Sequence, residues 1–114
     1  MADWDQLKDL QEMLGTEDCL VLVDMFEAEA KPVLGQFHKG DTLNSPDQDL
    51  HFIKGSALNL GLNKLADACA ELENTVATGA KVNADSLKSI AAQAIRSVQE
   101  ARELLAGQPL AQAG

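Results

Sequence analysis

The chain has no tyrosine, one tryptophan and three phenylalanines, so aromatic residues make up only 4% of its 114 positions. A core built mainly from Leu, Ala, Val and Ile suits helices better than a β-sandwich, and there is little β-branched clustering outside residues 21–23. Basic residues are scarce: nine Lys and Arg against eighteen Asp and Glu leave a formal charge of −9. That balance argues against a phosphate-tracking nucleic-acid surface, which needs clustered cations, and against an anionic membrane surface. Cys19 and Cys69 are the only cysteines, each within an apolar helical pattern, and are expected as buried thiols, not as a disulfide or metal pair. No apolar run approaches the roughly 20 residues that span a bilayer. The opening Met-Ala-Asp-Trp-Asp-Gln lacks the basic and apolar regions of a signal peptide. The expected location is therefore the cytoplasm. A Gly-rich phosphate loop, a kinase signature and carboxylates at metal-ligand spacing are also missing, so neither ATP nor a resident metal or cofactor is expected.

What is present is helical periodicity within a chain of single-domain length. Residues 3–13 read as a short helix, with Trp4, Leu7, Leu10 and the following Leu14 at helical spacing, and Gly15 ends the segment. Thr16 reads as the N-cap of a long helix over 17–39, with Leu20, Val23, Phe26, Ala30, Val33, Leu34 and Phe37 on its apolar face. Pro32 lies inside it and predicts a kink near residues 28–31. Ser45 and Pro46 start a third helix that Gly61 stops. A fourth, over 62–78, places Leu62, Leu65, Cys69, Leu72 and Val76 on one face. Asn83 or Asp85 caps the last helix, striped by Leu87, Ile90, Ala94, Val98, Ala101 and Leu105. The expectation is an all-α domain over residues 1–106. It is read as an antiparallel up-down four-helix bundle with a short additional N-terminal helix, followed by a frayed tail at 107–114.

The third helix carries the chemistry. At about 100° per residue, Leu50, Ile53, Ala57 and Leu60 share one side and form the core stripe. His51, Lys54, Gly55 and Leu58 cluster well away from it, with Asp47 and Gln48 one turn earlier, so His51 projects where a partner protein can reach it. A neutral imidazole is a good nucleophile toward phosphoryl groups, and Lys54 supplies a positive charge beside a group that gains roughly two negative ones. Gly55, which costs about 1 kcal/mol relative to Ala inside a helix, leaves room for close approach. Ser56 points more toward a neighbouring helix, where back-bonding to a carbonyl competes with any phosphate contact. On the fourth helix Ala66, Ala70, Glu73 and Ala77 form a shallow stripe beside the core positions. If that stripe flanks His51, Glu73 accepts a hydrogen bond from one ring nitrogen and leaves the other free.

The pattern His51-x-x-Lys54-Gly55-Ser56, then Gly61, with Leu62, Leu65-Ala66, Cys69 and Leu72-Glu73 in the next helix, resembles a histidine-containing phosphotransfer (HPt) domain. The close match covers about residues 50–73. The resemblance implies a monomeric helical bundle in a multistep phosphorelay. Its histidine takes a phosphoryl group from a receiver-domain aspartate and gives it to another receiver, with a hybrid sensor histidine kinase as a further partner and any Mg²⁺ supplied by the receiver. Carried over, His51 is the phosphoacceptor through Nε2, Lys54 assists the phosphoryl group and Gly55 permits docking. Glu73, Gln48 and Ser56 are the candidates to orient the ring or support the site. Leu58, Ala66 and Ala70 are the candidates for an apolar docking patch. The position of Glu73 is often an amide or other polar residue in such domains, so a carboxylate there is a departure.

Two other readings compete. A dimerisation and phosphoacceptor domain of a sensor histidine kinase calls for an acid directly after the histidine and a proline a few residues on. Here Phe52 follows His51 and no proline occurs between Pro46 and Pro109. A helical adaptor would make His51 incidental.

Overall fold

The computed structural model describes residues 4–107. Five helices make up the described chain: α1 (Asp5–Leu14), α2 (Thr16–His38), α3 (Pro46–Leu60), α4 (Asn63–Ala77) and α5 (Ala84–Leu105). No strand occurs among the described residues. Helices α2 to α5 close a ring in which α2 packs on α3, α3 on α4, α4 on α5 and α5 on α2, while α1 lies mainly against α2. The expected tail falls outside the described residues apart from Gly107, as does the expected first turn of α1 at residue 3.

The apolar stripes meet in one core. Leu50, Ile53, Ala57 and Leu60 of α3 are buried, as are Leu87, Ile90, Ala94, Val98, Ala101 and Leu105 of α5. Cys19 and Cys69 are buried free thiols within it. Leu20, Leu34, Leu72 and Val76, placed on the stripes by periodicity, are only partly buried and pack against the rim of the core. Off the α5 stripe, Arg102 Nη2 donates to Asp24 Oδ1 and Glu27 Oε1, each at 2.7 Å, and fastens the end of α5 to the middle of α2.

The helix ends refine the expectations. Thr16 is not the N-cap of α2: Gly15, with φ 90° and ψ 159°, holds that position and Thr16 is already helical. A single residue must turn the chain between α1 and α2, and the Thr16 hydroxyl is taken by Gln11 Nε2 at 2.9 Å. Through Pro32, α2 continues as one element of 23 residues. Asn83 caps α5, its side chain accepting from the backbone N–H of Asp85 at 2.7 Å.

Helix α3, which bears the histidine, is fixed at both ends. Ser45 is extended at φ −134° and Pro46 occupies the first turn, where its fixed φ and missing N–H suit the helix start. Asp49 is almost fully buried. Its Oδ2 accepts from the backbone N–H groups of Leu43 and Asn44 at 2.7 and 3.1 Å, and its Oδ1 from the Asn44 amide at 3.1 Å. The preceding loop is thereby tied to the helix. At the other end Gly61 adopts φ 75° and ψ 22°. Its N–H bonds Leu58 O at 3.2 Å and that of Leu62 bonds Ala57 O at 2.9 Å, closing α3 and reversing the chain into α4. A Cβ on Gly61 would lie 2.8 Å from Gln6 Cβ, so glycine is needed here both for its conformation and for the close approach of α1.

Replacing Asp49 by Ala strands three donors at the start of α3 and is expected to destabilise the fold by about 2 kcal/mol. Urea unfolding monitored by far-ultraviolet circular dichroism measures this, and an unchanged midpoint would show that the loop bonds carry no weight.

Candidate functional site

The hairpin at Gly61 lays α4 against α3, so that Glu73 comes opposite His51. The His51 side chain is 73% exposed while that of Glu73 is only 20% exposed. One carboxylate oxygen of Glu73, Oε2, lies 3.4 Å from His51 Nδ1. The other, Oε1, lies 2.8 Å from Lys54 Nζ. Glu73 thus bridges the two functional groups of α3 from the neighbouring helix.

The chemical consequence follows from donor and acceptor capacity. An ionised carboxylate only accepts, so its contact with the ring requires a proton on Nδ1. In the neutral imidazole that leaves Nε2 with its lone pair free and directed to solvent. The sequence places Lys54 as a cation beside the imidazole; in the structure its ammonium is also paired with Glu73.

The remaining candidates divide. Asp47, Gln48, Phe52 and Glu73 surround His51 in a shallow open depression. Gln48 is exposed and forms no hydrogen bond with the ring. Asp47 contributes a negative charge to the rim; a hydrogen bond from the Ser45 hydroxyl holds its carboxyl below the usual range. Ser56 faces away, into the groove against α2 with Leu22, Met25 and Phe26, and has no contact with the ring. Leu58 is exposed on the outer side of α3, two turns from His51. Ala66 corrects the expected docking patch: at 2% exposure it belongs to the core. Because α4 packs tightly on α3 along this side, the small residue serves helix approach there and presents no surface. Ala70 is half-buried.

Gly55 is exposed and helical, and a Cβ built on it meets no atom within 4 Å. Among the described residues nothing requires a glycine at this position. Behind Glu73, burial and then the Glu73 charge push the Cys69 thiol up to about 12, which disfavours the thiolate and makes it a poor nucleophile near neutral pH. Among the described residues no group of three His, Cys, Asp or Glu side chains is placed to hold a metal ion.

Periodicity alone does not single out Asp49, because a buried loop-anchoring acid and a solvated first-turn acid look alike in the chain. Phe52 received no surface role, although it is an exposed aromatic beside His51. The same wheel that separates His51 from the core stripe places Phe52 on the outside too.

Fold and site together define a small protein, all-helical among the described residues, whose exposed His51 imidazole is held through Nδ1 and open at Nε2. The profile of the Hpt domain family matches residues 21–108, most of the chain, and the chain belongs to that family. Searches of curated proteins and of solved structures gave no significant match. Membership implies histidine phosphotransfer within a phosphorelay and interaction with receiver domains.

Gly55→Ala is expected to stabilise the fold by about 0.5–1 kcal/mol, since the methyl meets no neighbour and the helix gains propensity. Phosphoryl exchange with a receiver should nevertheless slow. A urea titration and a transfer assay on the same variant check both halves. A destabilised variant would contradict the open environment of Gly55, and unimpaired transfer would contradict a need for close approach.

Proposed function

We propose that this protein is a phosphorelay intermediate in which His51 Nε2 accepts a phosphoryl group from a receiver aspartate and passes it to the aspartate of another receiver. The observation that carries this reading is the bridge from Glu73 to His51 Nδ1 and Lys54, which leaves Nε2 free on an exposed face. In the forward step the Nε2 lone pair forms the N–P bond as the acyl-phosphate P–O bond breaks, and the donor carboxylate leaves with the bonding pair. In the return step a second carboxylate forms the new P–O bond and the pair returns to Nε2. The Nδ1 proton stays in place throughout, held by Glu73. Lys54 offsets charge on the phosphoryl oxygens, and any Mg²⁺ is brought by the receiver.

In this reading α2 to α5 form an antiparallel up-down four-helix bundle that acts as a rigid, monomeric platform in the cytoplasm. Receivers and a hybrid sensor histidine kinase dock over Gly55, with Leu58, Ala70 and Phe52 as the apolar contacts. The domain has no kinase activity of its own. Among the described residues no helix is long and apolar enough to cross a membrane.

Incubation with a receiver phosphorylated on its aspartate tests the reading. The wild type should gain an acid-labile, alkali-stable label, and His51→Gln should gain none. Label that survives the substitution, or a wild type that several receivers fail to label, would overturn it. Lys54→Ala should keep its helical circular dichroism and transfer roughly tenfold more slowly, equivalent to about 1.4 kcal/mol of lost transition-state stabilisation. Transfer at the wild-type rate would remove Lys54 from the mechanism.

A further inference from the structure

An ionised Glu73 carboxylate only accepts hydrogen bonds, and this has consequences after His51 has been loaded. With a phosphoryl group on Nε2, the ring can hold a proton on Nδ1 or lose it. If Nδ1 is protonated, breaking the N–P bond returns the electron pair to Nε2 and releases a neutral imidazole. If it is not, the same cleavage would release an imidazolate, a far poorer leaving group, unless solvent first delivers a proton. The residue facing Nδ1 decides between these states. An amide in that position can turn its NH₂ toward a deprotonated nitrogen and stabilise the slow form. A carboxylate can accommodate only the protonated, fast form.

The surroundings support that role for Glu73. Its side chain is largely buried and held in place by Lys54 at 2.8 Å, so its carboxylate is fixed beside Nδ1 and does not sweep through solvent. The other charged groups near the ring are Asp47 and Lys54, both on α3, while the Cys69 thiol behind Glu73 on α4 is neutral.

We propose that Glu73 is a positioning residue that keeps Nδ1 protonated in the phosphorylated protein, making the phosphoryl group on His51 short-lived and quickly discharged. This rests on the reading of His51 as phosphoacceptor. Discharge to water balances in the same way: a water oxygen forms the new P–O bond, the N–P pair returns to Nε2, and one water proton goes to solvent.

The test loads the protein chemically with phosphoramidate, which needs no receiver, and follows each phosphohistidine by ³¹P NMR. His38 serves as an internal reference, because it is exposed at the end of α2 and, among the described residues, no carboxylate is hydrogen-bonded to its ring. Glu73→Gln should lengthen the lifetime of the His51 phosphoryl group roughly tenfold, as expected for losing a charge-assisted hydrogen bond, and leave that of His38 unchanged. Between about pH 6 and pH 8 the wild-type His51 decay should be nearly flat. In Glu73→Gln it should quicken as pH falls, because solvent must then supply the proton. Equal lifetimes in the two proteins, a longer one in the wild type, or loading of His38 without His51 would overturn the proposal. A chain that no receiver labels, yet whose chemically loaded His51 shows the short lifetime, would lose the relay reading and keep this role of Glu73.

Discussion

The contact on which the site depends is the one between Glu73 and its two partners across the α3–α4 hairpin. One oxygen requires the Nδ1 proton of His51 and the other fixes Lys54. Without it, an imidazole 73% exposed to solvent would distribute its proton over both nitrogens and its ring over several rotamers. The carboxylate selects one tautomer and limits the ring's rotation while covering little of its surface. In the proposed relay this makes a surface histidine a defined nucleophile without burying it, as suits a residue that would enter a receiver's active site.

The helix that carries the histidine is anchored accordingly. Asp49 secures its first turn to the preceding loop, and Gly61 closes its last turn against Gln6 of α1. Between these anchors the chain accepts a local cost at Gly55, where a side chain would meet nothing and a methyl would favour the helix. A residue that weakens its own helix while filling no internal need points outward for its explanation. Gly55 within α3 and Gly61 at its end therefore do different work, Gly61 for the fold and Gly55 for whatever approaches the ring.

Much of this was legible in the chain. The 3.6-residue period separated the core positions Leu50, Ile53, Ala57 and Leu60 from His51, Lys54 and Gly55, and burial follows that division. Gly61 read correctly as a helix stop because its requirement is local. The cap of α2 did not, since Gly15 and Thr16 compete for it and the outcome depends on Gln11 reaching across the turn. Ala66 failed as a docking residue for a related reason: small residues beside a core stripe serve equally for open surface and for close helix packing. Asp49 and the pairing of Lys54 with Glu73 both require knowing which loop or helix lies opposite, and periodicity within one helix holds no such information.

The central claim is that Glu73 holds the proton on Nδ1 and leaves Nε2 as the reacting atom. Long-range ¹H–¹⁵N correlation of the His51 ring reads both nitrogens directly, before and after loading. The account predicts a protonated Nδ1 and a lone-pair Nε2 in the free protein, with the phosphorus coupling appearing on Nε2 afterwards. A free ring protonated at Nε2, or phosphorus bound to Nδ1, would contradict it.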